Sequence, residues 1–220
     1  MKLKKFSFRY AEEILSNPKY KNVLSEILNI CQNCPLPYYP GKSTKQPKLD
    51  IVQQIINTYF LVAFVKSGWE DEPYASPSEF KDALRSDFRK TFALDDNEKI
   101  TIQVEVEMGN AASSYRNYFK IQLSYANDLT NIGLVIVPCS TLSTRIDSGV
   151  ANFEKCVREI PSAKLSLTVP IFVIGLDDID SELWDLRKIT QNIQEYSANS
   201  TAAKEKRKEL IEDYLKEINF

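Results

Sequence analysis

Nine residues from Ile100 to Met108 alternate strictly in polarity. Ile100, Ile102, Val104, Val106 and Met108 share one side of a period-two pattern, and Thr101, Gln103, Glu105 and Glu107 share the other. This is a β-strand whose apolar side must be covered. In a mixed α/β domain the opposite side is covered as well, and two carboxylates then stand about 7 Å apart along a buried face. Partly buried like charges raise each other's pKa and weaken the fold unless a cation, a Lys or a proton lies between them. Asp95 and Asp96 lie just upstream, in Leu94-Asp95-Asp96-Asn97-Glu98-Lys99, and a hairpin there would bring a third carboxylate into the same space. Such oxygen ligands suit a hard divalent ion such as Mg²⁺. The same residues also fit a plainer arrangement, with the glutamates on the solvent face of an antiparallel sheet and Asp-Asp-Asn as a turn.

The rest of the composition narrows the chemistry. The chain has no His, which excludes His-based triads and His-ligated metals within it and removes the ordinary general base. Any hydrolysis must rely on carboxylates, Lys, Tyr or metal-activated water. Cys31-Gln32-Asn33-Cys34 has the spacing of a zinc or redox pair. A four-thiolate site would require Cys139 and Cys156 to converge on it; the alternative is a helix end carrying two unrelated thiols. With 43% hydrophobic residues among 220, the chain can bury a sizeable core in one domain. Its longest apolar run, Tyr59 to Val65, is far too short to span a bilayer. The start, Met1-Lys2-Leu3-Lys4-Lys5, lacks the apolar stretch of a secretory signal. A net charge of −2 is neutral as to nucleic acid, because a binder needs a basic surface rather than a basic total.

Along the chain, Tyr10 to Ile30 reads as helix with a break at Pro18. A second helix begins near Lys48 and a short third near Ser78, with Phe80, Leu84 and Phe88 as its apolar side. After the Glu105/Glu107 strand, Ser113 to Asn127 has helical spacing through Tyr115, Tyr118, Phe119, Gln122 and Ala126, with Arg116 and Lys120 on a neighbouring face. Ile132 to Val137 and Val169 to Leu176 are apolar strands separated by a helix over Val150 to Ile160. The order strand, helix, strand, helix, strand predicts an α/β domain with a mixed sheet flanked by helices. The last segment, Thr201 to Ile218, is a charged helix whose Lys204, Lys206, Arg207 and Lys208 could face a phosphate backbone or water.

Several segments together resemble the BglII and BstYI group of type II restriction endonucleases, related to BamHI and built on the PD-(D/E)xK nuclease core. Asp96 lies nine residues before Glu105, and Glu105-Val106-Glu107 is similar to the paired motif of that group. Tyr10 to Leu15 followed by Asn17-Pro18 resembles its first helix. Met108-Gly109-Asn110 resembles the segment after its catalytic strand, and Val169 to Leu176 a late core strand. The resemblance implies a restriction-endonuclease-like mixed β-sheet core flanked by helices, over residues 1–220 as one nuclease domain with an amino-terminal helical segment and a charged carboxy-terminal helix.

It also implies Mg²⁺-dependent cleavage of both strands of a short palindromic double-stranded DNA site by a homodimer in the prokaryotic cytoplasm, without a membrane. Asp96 and Glu105, with the Val106 carbonyl, would hold one or two Mg²⁺ ions per site. Glu107 would position or deprotonate the attacking water, in the place of the superfamily's usual Lys. Asp95 is the substitute ligand if the turn shifts by one residue. Asn110 would read a base, the loop with Arg145, Asp147 and Ser148 would be a second reading segment, and Arg116 and Lys120 would touch phosphates. Two rivals stay open: a non-catalytic DNA-binding protein that kept the fold, and a structure-selective nuclease.

Overall fold

The computed structural model describes every residue except 78–82, 95–97 and 164–165, together with the Ser113 side chain. Six strands form one mixed sheet: β1 (Lys2–Phe8), β3 (Glu70–Asp71), β4 (Phe88–Ala93), β5 (Lys99–Val106), β6 (Ile132–Pro138) and β7 (Ile171–Asp177), in the spatial order β1-β7-β6-β5-β4-β3. The three central strands β5, β6 and β7 are parallel, and β1, β4 and β3 are added antiparallel. A separate parallel pair joins β2 (Pro37–Tyr38) to β8 (Trp184–Asp185).

Both faces of the central strands are covered, which is why β6 and β7 read as unbroken apolar runs. On one face, Ile102 and Val104 of β5, Leu134 and Ile136 of β6 and Phe172 and Ile174 of β7 join the larger core. That core contains α1 (Ala11–Leu15), α2 (Lys21–Gln32), α3 (Gln53–Lys66) and α8 (Thr201–Glu217). On the other face lie α4 (Ala111–Ala126) and α6 (Phe153–Ser162), over Val135, Val137, Ile171 and Val173. Two glycines let these helices come close. A Cβ on Gly133 would stand 2.4 Å from Ile121 of α4, and one on Gly175 2.7 Å from the Phe153 ring of α6. The tight seat of α4 is what brings its inner side chains within reach of β5.

Most expected elements form, with shifted ends. The second helix starts at Gln53, because Ile51 is bridged to Tyr38. The helix expected from Val150 starts at Phe153, because Val150 is bridged to Asn110. Of the helix expected near Ser78, residues 78–82 lie outside the described residues; Phe88 opens β4 and pairs with Val104. Strands β1 and β4 and helices α5 (Ser140–Ile146) and α7 (Gln194–Ser197) escaped the sequence reading.

The four thiols are free and buried. Cys31 and Cys34 lie in the core under one face of the sheet, and Cys139 and Cys156 in that under the other, so they do not converge. Arg207 departs from a solvated or phosphate-facing role. It is 5% exposed and turned inward, donating to Thr58 and to the carbonyls of Tyr196 and Ala198.

Candidate active site

The β4–β5 hairpin determines which acid meets Glu105. Phe88 pairs with Val104 and Ala93 with Lys99, so continuing the register by one residue sets Asp87 across from Glu105. Asp87 Oδ2 accepts the Val106 N–H at 2.7 Å. Asp96, and its substitute Asp95, lie outside the described residues. Their described neighbours Leu94 and Glu98 close the far end of the hairpin, and the six steps of strand from Lys99 to Glu105 span about 20 Å. Asp87 was not singled out from the sequence. Its signal is weak, because an Asp one residue before a strand does not reveal which strand will pair beside it.

Glu105 is fully buried on the α4 side of β5, next to Gln103, whose amide donates to its Oε1 at 3.1 Å. Lys120 reaches down from α4, ion-paired to Glu105 Oε2 and 3.8 Å from Asp87 Oδ1. Burial, then the Asp87 charge, pushes the Glu105 carboxyl up to about 8 against the pull of Lys120. Asp87 is raised too, by burial first. Lys120 is thus 8% exposed in its side chain and points into the acid pair. This corrects its expected surface place to a buried one: the stripe of α4 turned to the sheet is Ser114, Asn117, Tyr118, Lys120, Ile121 and Ser124, a largely polar stripe that apolar periodicity does not mark.

Glu107, 7% exposed, is held separately. Its Oε1 accepts the Gly109 N–H at 2.8 Å and its Oε2 the Asn117 amide at 3.1 Å. A Cβ on Gly109 would stand 3.1 Å from that Oε1, so a residue without a side chain suits this approach. Burial also raises the Glu107 carboxyl. Among the described residues, no three Cys, Asp or Glu side chains converge to hold a metal. The expected three-carboxylate cluster is, within those residues, an Asp87–Glu105 pair with Glu107 beside it. Asp87 and Val106 open onto a cleft of about 280 Å³ lined also by Asn57, Phe60, Asp71, Glu72 and Phe88. Two carboxylates, a main-chain oxygen and solvent access fit an ion that keeps several waters, as Mg²⁺ does, and an ammonium already occupies the space between the acids.

The expected reading segments come together. Asn110 is exposed and caps α4, its Oδ1 accepting from Ala112 N–H at 2.9 Å. The Asn110↔Val150 bridge joins it to the loop after α5, through Ala111 N–H to Gly149 O and Ala151 N–H to Gly109 O. Asp147 and Ser148 lie exposed in that loop, and Arg116 is exposed on α4. Arg145 is partly buried at the end of α5. Its guanidinium is engaged within the chain, by two bonds to Asp50 and one of 2.8 Å to Asp178, and clasps the loop before α3 to α5.

A mixed sheet carrying paired acids at the open end of a strand hairpin, with helices on both faces, defines a restriction-endonuclease-like nuclease. The family model described as restriction endonuclease BglII/BglIII matches residues 3–176, and the chain belongs to that family, a type II site-specific deoxyribonuclease. The crystal structure of restriction endonuclease BglII complexed with a DNA 16-mer is similar at TM-score 0.62 and 19% identity, covering 81% of this chain and 77% of that one. The crystal structure of free BglII is similar at TM-score 0.52 and 16% identity, covering 80% and 79%. Among curated protein sequences none matches this chain.

Proposed function

We propose that the chain cuts both strands of a short palindromic double-stranded DNA site as a Mg²⁺-dependent homodimer. The observation that carries this reading is the Asp87–Glu105 pair, set across a hairpin with Asp87 lining a cleft and bridged by a buried ammonium, in a chain of a restriction endonuclease family. Asp87 and Glu105 would hold the ion with the Val106 carbonyl, so Asp87 takes the part that the resemblance assigned to Asp96. The ion supplies charge neutralisation at the phosphate, a more acidic water and relief of the departing oxyanion. Glu107, tethered by Gly109 and Asn117, orients the attacking water and accepts its proton. Burial raises its pKa above the ordinary carboxylate value, which makes it a better proton acceptor.

Asn110, Asp147 and Ser148 form the base-reading surface, and Arg116 contacts phosphate. Four buried free thiols suit a reducing cytoplasm, here that of a prokaryotic cell. No helix among the described residues is long and apolar enough to cross a membrane.

Incubation of genomic DNA with the protein and Mg²⁺, followed by end sequencing, tests the activity. Discrete fragments sharing one palindromic end are expected. Random nicking, a preference for branched substrates, or binding without cleavage at any Mg²⁺ or Mn²⁺ concentration would overturn the reading.

The dimer is supported by Tyr115 and Phe119, which stand 54% and 58% exposed on the outer side of α4. Tyr115 is anchored to α6 through Glu159. An aromatic patch on adjacent helices suits a two-fold contact in which each subunit offers the same surface. Phe119→Arg is expected to shift the sedimenting mass from twice 25.2 kDa to the single-chain value and to abolish double-strand breaks; a variant still dimeric would exclude this face.

A further inference from the structure

Position 107 carries Glu where the usual superfamily motif has Lys, yet the site contains an ammonium delivered from another element. Lys120 lies on α4, and the inner side chains of that helix run antiparallel to β5: Asn117 bonds Glu107, Lys120 bonds Glu105, and Ser124 lies 3.4 Å from the Arg89 guanidinium beside Gln103. The partners of the Lys120 ammonium are the two carboxylates that the reading above assigns to the metal. A divalent ion ligated by both must take the space the ammonium now fills, because cations bound to the same oxygens exclude one another sterically and electrostatically.

We propose that Lys120 is the resident counter-cation of the metal site, competing with the divalent ion for Asp87 and Glu105 until the ion displaces it. This rests on the metal-site reading above. Without the ion, Lys120 compensates the charge that the two buried acids develop as they ionise, which would otherwise repel across the hairpin. With it, the ammonium is repelled from those two acids, and an incoming phosphate supplies a new anionic partner. Ion loading is therefore weak before DNA arrives and is strengthened by it.

The test is Mn²⁺ titration of the full-length, DNA-free protein, with free Mn²⁺ read by electron paramagnetic resonance and the melting temperature followed in parallel. Lys120→Met is expected to bind Mn²⁺ at least about tenfold more tightly than the parent. It should melt lower without the ion and gain more from it, whereas Lys120→Arg, which keeps the charge, stays as weak as the parent. A merely structural Lys120 would leave affinity unchanged or lower it in Lys120→Met, and that result overturns the proposal. If Lys120→Met does not fold, Lys120→Gln is read by the same criterion. Asp87→Asn and Glu105→Gln are expected to lose Mn²⁺ binding in either background. Retention of binding there overturns the metal-site reading and this proposal together, while loss there with no gain in Lys120→Met overturns this proposal alone.

Discussion

Asp87→Asn is expected to slow Mg²⁺-dependent cleavage of double-stranded DNA by at least about a thousandfold, roughly 4 kcal/mol of transition-state stabilisation, with little loss of fold. The amide keeps an oxygen that can still accept the Val106 N–H, so the hairpin stays closed, but the site loses one of its two anionic ligands. Asp96→Asn is expected to stay within about a few-fold of the parent, because the described residues flanking it close the end of the hairpin far from Glu105. Single-turnover cleavage of a plasmid carrying the site, with circular dichroism as the folding control, separates the two. Full activity in Asp87→Asn, or a collapse in Asp96→Asn alone, would return the ligand role to the residue nine positions before Glu105.

The second large effect is on stability. In the folded chain Glu105 holds its proton until near pH 8, whereas in the unfolded chain it releases it near the ordinary value of 4.5. Between these values the native state binds more protons than the unfolded one, so stability in chelator falls as pH rises, by up to about 1.4 kcal/mol per pH unit for each proton involved. Asp87 and Glu107, both raised by burial, add in the same direction. With no His in the chain, few other side chains titrate in this window. Urea denaturation at pH 5.5 and pH 8 is expected to show the loss, Glu105→Gln to remove most of it, and millimolar Mg²⁺ to reduce it by favouring the ionised carboxylates. A flat profile in chelator would mean that Glu105 is ionised throughout.

How much of the site was legible from residues depends on whether its pattern is local. The β5 alternation identified the strand and the two glutamates on one face, because side-chain direction in a strand follows from period two alone. The polar termini of the two reading segments were legible as loops, but their joining by the Asn110↔Val150 bridge is a pairing between distant residues. The face of α4 was misjudged for a related reason. Tyr115 and Phe119 look like a core stripe and are exposed, while Asn117, Lys120 and Ser124 look like a surface and are buried, because the face they meet is itself polar. Hydrophobic periodicity finds a helix's inner face only where the core is apolar.

Local sequence alone therefore determined the alternating acid-bearing strand, the apolar strands β6 and β7 and the absence of His chemistry. Tertiary structure alone decided that Asp87 is the acid opposite Glu105, that Lys120 supplies the cation between them, and that Arg145 is spent on Asp50 and Asp178. Each of these depends on hairpin register or on the seating of one element against another. Those contacts are set by packing across the whole sheet, and no short window of residues contains them.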